Sequence, residues 1–261
     1  MRQIVKARKK SVESRLGKRR KIAQSLLAVL FLGSILFGLN YFLRDPIFEI
    51  NRVIIEGNET LDQVVLIDNV NNSLAGSILI LIPRNNKFAY PKNSIKERLI
   101  YSFPKLKSVD LDVNGEVLNV SVEEYKEAYV YCFSDSVCQF VSSEGTLFGK
   151  ATEKDKTEYP LFISPFSAPS QEEVNENVTI ANGFANMEVN IKSIERHMNG
   201  DVVVSIVDGW QIKYSSNEEP TNILKRFGLA LSSDSLSPDK LINLEYIDLH
   251  FGNKVFYKYK E

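Results

Sequence analysis

The residues in this sequence whose types could do chemistry are two cysteines, two histidines and a few adjacent acids, and their spacing limits what they can do. A redox pair needs Cys-x-x-Cys at a helix start. Cys132 and Cys138 instead flank a run that reads as a β-hairpin, at equal distance from its centre at Asp135. Opposite residues on paired strands hold their Cβ atoms about 4.5 to 5.5 Å apart, close to bridging range, and bridges persist outside the cytoplasm. The spacing predicts a Cys132–Cys138 disulfide, with two free core thiols as the alternative that thiol counting would separate. For so short a loop the chain-entropy effect is about 2 kcal/mol. His197 and His250 lie far apart, without cysteines or paired carboxylates at ligand spacing, whereas a zinc site takes three or four ligands. They read as ordinary strand or surface residues. The acids Glu123–Glu124, Glu172–Glu173 and Glu218–Glu219 are sequence neighbours. On a strand such neighbours point to opposite faces, which makes them poor candidates for a glycosidase pair and good ones for solvated surface. Neither a Gly-x-Ser-x-Gly elbow nor a Gly-x-x-x-x-Gly-Lys loop occurs. The expectation is a non-enzymatic protein with no catalytic centre, cofactor, metal or small-molecule substrate, so function must be sought in binding.

The elements that would position a binding surface begin with residues 22–43, from Ile22 to Leu43, which carry no charge. A helix of that length is about 33 Å long, enough to cross the hydrocarbon core of a bilayer. A cleaved signal peptide would have a shorter apolar region ending at small residues. This run instead leaves through Tyr41, Phe42 and Leu43, so it reads as a retained anchor. Residues 1–21 hold Arg2, Lys6, Arg8, Lys9, Lys10, Arg15, Lys18, Arg19, Arg20 and Lys21 against Glu13 alone. Positive flanks stay in the cytoplasm, which predicts a single-pass protein of the plasma (cell inner) membrane, amino terminus inside and carboxyl terminus outside. The whole-chain net charge of −1 therefore hides a basic tail and an acidic exported part. That acidity argues against nucleic acid as a partner.

Beyond the anchor, Phe48, Ile50, Val53 and Ile55 form a β-type run that stops at Gly57-Asn58. Thr60 with Gln63 reads as a capping box, opening a helix whose Leu66, Val70 and Leu74 share a face before Gly76. A short apolar run, Ile78 to Ile82, ends at Pro83, and a second helix fits Asn93 to Ser102, stopped by Pro104. Val109, Leu111 and Val113 then alternate up to Asn114-Gly115, and Leu118, Val120 and Val122 alternate back, a hairpin. Two helices on a three-stranded sheet make a small α+β domain. Residues 125–261 read as a strand meander: Tyr129 to Phe133, Val137 to Val141, Ile191 to Ile194, Val202 to Val207 and Trp210 to Tyr214. It ends with a helix opened by Pro220 and a hairpin, Glu245 to Phe251 with Lys254 to Lys258, turning at Gly252-Asn253. Lys150 to Glu158 is charged and Pro165 to Glu176 lacks periodicity, so a surface loop with room for a short helical turn is expected there, not a hinge between domains.

This order, with several local strings, resembles the FtsQ/DivIB family of bacterial cell-division proteins. FEINRVIIEGN is similar to that family's opening strand, and SFPKLKSVDLDV to its helix-to-strand passage. VSVEEYKEAYVY stands where the family has a Glu-Arg-x-Pro-x-Ala run, with Glu124 and Ala128 matching and Tyr125 and Glu127 departing. VSSEGTLF resembles its Val-Asp-x-x-Gly-x-x-Phe turn, with Val141, Gly145 and Phe148 kept and Ser142 replacing the Asp. LEYIDLHFGNKVFYK resembles the closing strands, with His250 where an Arg is more typical. The likeness covers roughly 1–150 and 240–260 and is weak between them. It implies an α+β architecture: cytoplasmic tail 1–21, transmembrane helix 22–43, POTRA-like domain 44–124, and a β-rich FtsQ/DivIB-type domain 125–261 with a C-terminal helix and closing hairpin.

A terminal hairpin exposes unpaired N–H and C=O groups that can accept a strand from a partner. Val255, Tyr257 and Tyr259 share one face, Phe256 lies on the other, and aromatic residues are favoured interface anchors. The resemblance implies that FtsB/DivIC-like and FtsL-like bitopic division proteins bind there. The chain would then be a divisome scaffold linking the cytoplasmic division ring to septal wall synthesis. The rivals are a POTRA-bearing secretion or envelope-assembly component, which should show tandem repeats or a barrel, and an anchored cell-wall enzyme, which should show a catalytic cleft.

Overall fold

The structure, a computed structural model, describes residues 24–35, 37–38, 41–42, 45–78, 82–134, 137–166, 169–236 and 238–260. The basic tail 1–21 lies outside them, as does part of the expected span 22–43. Residues 24–35 are helical, as are 37–38 and 41–42. Leu26, Leu27, Val29, Leu30, Phe31 and Leu32 are each 59–69% exposed, so the helix presents apolar side chains outward all round. Among the described residues no helix is long and apolar enough to cross a membrane.

The chain divides into two compact units, one formed by 1–102 with 108–123, the other by 103–107 with 124–261. In the first, strand β1 (Arg52–Glu56) is followed by helix α1 (Gln63–Leu74), the short antiparallel pair β2 (Ser77–Ile78) and β3 (Ile82–Pro83), and helix α2 (Lys92–Ser102). The hairpin β4 (Leu106–Asn114) and β5 (Val117–Glu124) completes a sheet ordered β1-β5-β4, with β1 parallel to β5. Its core follows from two periodicities. Leu66, Val70 and Leu74 of α1 and Ile95 and Leu99 of α2 recur every four residues, while Leu118, Val120 and Val122 of β5 recur every two, and all are buried. The start of α1 departs from expectation. Its cap is Asp62, whose carboxylate accepts from the Val64 N–H at 2.8 Å. Gln63, expected as the reciprocal partner of Thr60, instead donates to the Ile55 carbonyl at 3.0 Å and ties the helix to β1.

The second unit is built on one mixed sheet, ordered β14-β13-β12-β11-β10-β9-β6-β7-β8. Its strands are β6 (Tyr129–Ser134), β7 (Val137–Val141), β8 (Leu147–Phe148), β9 (Leu161–Ile163), β10 (Ile191–Arg196), β11 (Asp201–Ile206), β12 (Gln211–Ser215), β13 (Leu244–Phe251) and β14 (Lys254–Tyr259). The short helix α3 (Asp155–Glu158) precedes β9. Two parallel neighbours, β9 with β10 and β12 with β13, are each joined through a helix: α4 (Gln171–Ala185) and α5 (Pro220–Leu231). A last short helix, α6 (Pro238–Leu241), leads into β13. Strand–helix–strand crossovers therefore replace part of the expected meander.

Helix α4 replaces the second half of the loop expected at 165–176 with about four turns of helix, well beyond the short helical turn allowed for there. Ser170 caps it, accepting from the Glu173 N–H at 3.1 Å, and Val174, Val178, Ala181 and Phe184 are buried at spacings of four, three and three. Phe184 meets Phe227 of α5 edge-on at 4.9 Å, and Phe227 stacks near Trp210 at 6.3 Å. The helices approach closely at Gly183, where a Cβ would lie 2.3 Å from a Leu224 methyl.

Candidate partner-binding edge

Strand β14 ends the nine-stranded sheet and pairs antiparallel with β13 on its inner side, from Phe251↔Lys254 to Leu244↔Tyr259. The register shifts twice, between Asp248 and Phe251 and between Leu244 and Tyr246. Gly252, at φ +60°, makes the connecting turn, a conformation L-residues rarely adopt. Alternation along β14 sends Val255, Tyr257 and Tyr259 to one side and Phe256 to the other.

These residues do not share one environment. Val255 and Tyr259 are half-buried against the core of the unit, and the Tyr259 hydroxyl donates to the Ser235 carbonyl. Tyr257 is 42% exposed, with its ring 5.6 Å from that of Tyr259. Val255 and Tyr257 line a groove whose other wall is Arg226, Leu229 and Ala230 of α5, with Leu236 beyond. Leu229 is largely exposed there. On the opposite side, Phe256 packs edge-on against Phe251 at 5.0 Å, and both stay about half exposed. Apolar surface thus flanks the strand on both sides.

Charge fixes the edges of the groove. Arg226 donates to the Gly252 carbonyl and pairs with Glu218, which locks the turn against α5. On the other side of β14 from the groove, Lys258 pairs with Glu245 at 2.7 Å, and that carboxylate holds the ammonium above its usual range. Sequence reading missed the α5 wall, although Leu229 was a signal. It is a large apolar residue off the helix face marked by Ile223, Phe227 and Ala230.

The remaining singled-out residues lie elsewhere. Cys132 and Cys138 are paired in the β6–β7 register, with Cα atoms 4.2 Å apart, and are joined by a disulfide. His250 Nδ1 lies 2.7 Å from Asp248 and Nε2 lies 3.4 Å from Asp201, while His197 is exposed in the turn before β11. Glu123 is exposed and Glu124 buried, on opposite faces of β5. Glu173 and Glu176 of α4 face Arg196, at 3.7 and 2.7 Å. Arg196 also donates to Asn177 at 3.0 Å, and the Tyr131 hydroxyl donates to Glu173. Burial first, and that carboxylate second, raise the Tyr131 pKa far above the usual phenol, and burial does the same to Tyr214. Among the described residues no group of three or more His, Cys, Asp or Glu is placed to hold a metal ion.

Comparison with known proteins adds the following. No family model matches the chain. It is similar to the cell division protein DivIB of Lacticaseibacillus rhamnosus, 24% identical over 169 residues, which cover 64% of this chain and 55% of that protein. The chain thus spans about half the length of the curated relative it matches. Among solved structures, the major extracytoplasmic domain of the trans isomer of the cell division protein DivIB from Geobacillus stearothermophilus matches at a TM-score of 0.27 and 9% identity, covering 44% of this chain and 98% of that one. In sequence, the similarity is to a protein of the FtsQ/DivIB type.

Proposed function

We propose that this chain is a membrane-anchored, non-enzymatic cell-division protein of the FtsQ/DivIB type, which offers the β14 edge to a bitopic partner outside the membrane. The observation that carries the reading is the position of β14. It ends a nine-stranded sheet while keeping Phe256 and Tyr257 about half exposed. A strand at the end of a sheet presents main-chain donors and acceptors to an incoming strand, and side chains beside it supply specificity. The α5 groove gives such a partner a place for an apolar anchor next to the added strand, through Leu229, Val255 and Tyr257. FtsB/DivIC-like and FtsL-like proteins are the partners proposed, by family resemblance, and the scaffold would couple the cytoplasmic division ring to septal wall synthesis.

The anchor is supported by the helix over 24–35, whose large apolar side chains are exposed on every side. Such a surface suits lipid and not water. The basic residues before it favour a cytoplasmic amino terminus.

The test is co-purification of the full chain from its host membrane, as wild type, as Leu229→Ala/Tyr257→Ala and truncated after Gly252. Small bitopic division proteins should accompany the wild type and vanish with the truncation. The double variant should weaken capture by at least about 2 kcal/mol if these residues are anchors. Partners held equally by all three chains would overturn the β14 assignment, and turnover of peptidoglycan by the purified chain would overturn the non-enzymatic one.

A further inference from the structure

We infer that the loop between β3 and α2 rests on the outer leaflet of the membrane, with Phe88 at the level of the lipid headgroups and Lys87 paired to their phosphates. The inference depends on the anchoring reading above and adds a second, peripheral membrane contact to it.

A chain of ring contacts leads from the apolar helix to this loop within one compact unit. Phe42, in the apolar run, lies 4.9 Å from the ring of Phe48, and Phe48 lies 5.5 Å from Phe88. Lys87 Nζ sits over both Phe48 and Phe88, at 4.9 and 5.4 Å, and donates to the Ile47 carbonyl at 3.2 Å. Despite these contacts the surface is open: Tyr41 is 80%, Phe88 70% and Ile47 61% exposed.

The loop is also held firmly. Asn86 is fully buried, and its side chain accepts from the Phe88 N–H at 2.9 Å. The Lys87 N–H donates to the Phe48 carbonyl at 2.9 Å, and the Ile50 N–H to the Asn85 carbonyl at 2.7 Å. Phe88 is therefore pinned in an outward position beside the exit of the apolar segment. Holding a phenylalanine in water this way is unfavourable, whereas the interfacial zone of a bilayer accommodates aromatic rings.

Charge agrees with this placement. From Ile82 to Lys96 the sequence contains Arg84, Lys87, Lys92 and Lys96 and no acid, with Lys96 paired to Asp110 of β4 at 2.7 Å. Against these cations stand Asp45, whose carboxylate caps the Ile47 N–H, and Glu49. An ammonium has three donors, and the Lys87 head gives one to the Ile47 carbonyl while resting on the two rings; a cation held on aromatic rings suits the boundary between acyl chains and anionic phosphates. Tyr101 of α2, 88% exposed in the same unit, has no ring contact leading back to Phe42 among the described residues and serves as the control.

The experiment reconstitutes the full chain into vesicles of phosphatidylcholine with or without phosphatidylglycerol, carrying lipids brominated at shallow acyl positions. Phe88→Trp and Tyr101→Trp are compared, with the buried Trp210 as a common background. Emission at position 88 should shift to shorter wavelength and lose several-fold more intensity to the bromines than at position 101. Adding Lys87→Gln should reduce the gain given by phosphatidylglycerol about five-fold, the effect of one lysine at an anionic surface. Equal quenching at 88 and 101, in a chain that resists carbonate extraction, overturns the docking while leaving the anchor standing. Release of the chain by carbonate overturns the anchor and the docking together.

Discussion

At the scale of single residues, the fold depends on a few positions where one atom more or less matters. Gly57 ends β1 at φ +87°, and a Cβ there would fall 2.2 Å from the Val122 carbonyl oxygen, which is backbone and cannot swing aside. Gly57→Ala should therefore destabilise by about 2 kcal/mol or more, combining left-handed strain with a clash. At Gly183 the obstacle is the Leu224 side chain, so Gly183→Ala should cost less, roughly 1 to 3 kcal/mol, with part recovered in Gly183→Ala/Leu224→Ala. Denaturant titration of each variant checks both. Tyr131 and Tyr214 differ in an informative way. The Tyr131 hydroxyl donates to Glu173, so Tyr131→Phe should cost about 1 to 2 kcal/mol. Tyr214 has no hydrogen-bond partner for its hydroxyl among the described residues, and Tyr214→Phe should be nearly neutral at pH 7. Both folded-state pKa values are raised, so the protonated folded form is favoured and stability is full below the unfolded pKa. It should fall as pH rises above about 10, the unfolded tyrosine value. The variants should flatten that alkaline decline relative to wild type in unfolding measured from pH 8 to 11.

At the scale of elements, what the sequence made legible was governed by how clean the periodicity was. Both helices of the first unit and the β4–β5 hairpin could be read because their apolar residues repeat at four or at two without interruption, and the β1 run because its β-branched residues stop at Gly57-Asn58. The opening of α1 was misread because Thr60 and Gln63 fit a capping pattern that Asp62, directly before the helix, satisfies more simply. Helix α4 is hard to read because Asn177 sits within its buried face, between Val174 and Val178. Its capping pair, Ser170 and Glu173, was in plain view, but the Pro- and Ser-rich approach suggested a loop. Ser170→Ala should cost about 1 kcal/mol, read by thermal or urea unfolding, which an unstructured loop would not show. The terminal strand was foreseen, yet its groove was not, since the opposing wall belongs to α5 and comes close only through the parallel β12–β13 crossover. The β6–β7 hairpin allows a covalent check. Reducing Cys132–Cys138 should lower stability by about 2 kcal/mol, visible as a shift in urea midpoint with and without reductant, and Cys132→Ser/Cys138→Ser should abolish that shift.

At the scale of the whole molecule, the prediction concerns placement across the membrane. The full chain should resist carbonate extraction, and removal of residues 1–43 should release the remainder. A cysteine introduced in the tail should be shielded from an impermeant thiol reagent added outside, whereas one at Tyr101 should react; equal labelling of both would contradict the orientation. The nine-stranded sheet carries a further implication for assembly. One of its ends is β14, six residues long, and the other is β8, only two. An incoming strand finds a full ladder at the first and almost none at the second. Copies that met through this sheet could close as a two-fold pair, β14 against β14, but could not continue head to tail into a fibre. Occupation of β14 by a different protein would exclude even that pair, so this sheet adds at most one neighbour to each copy.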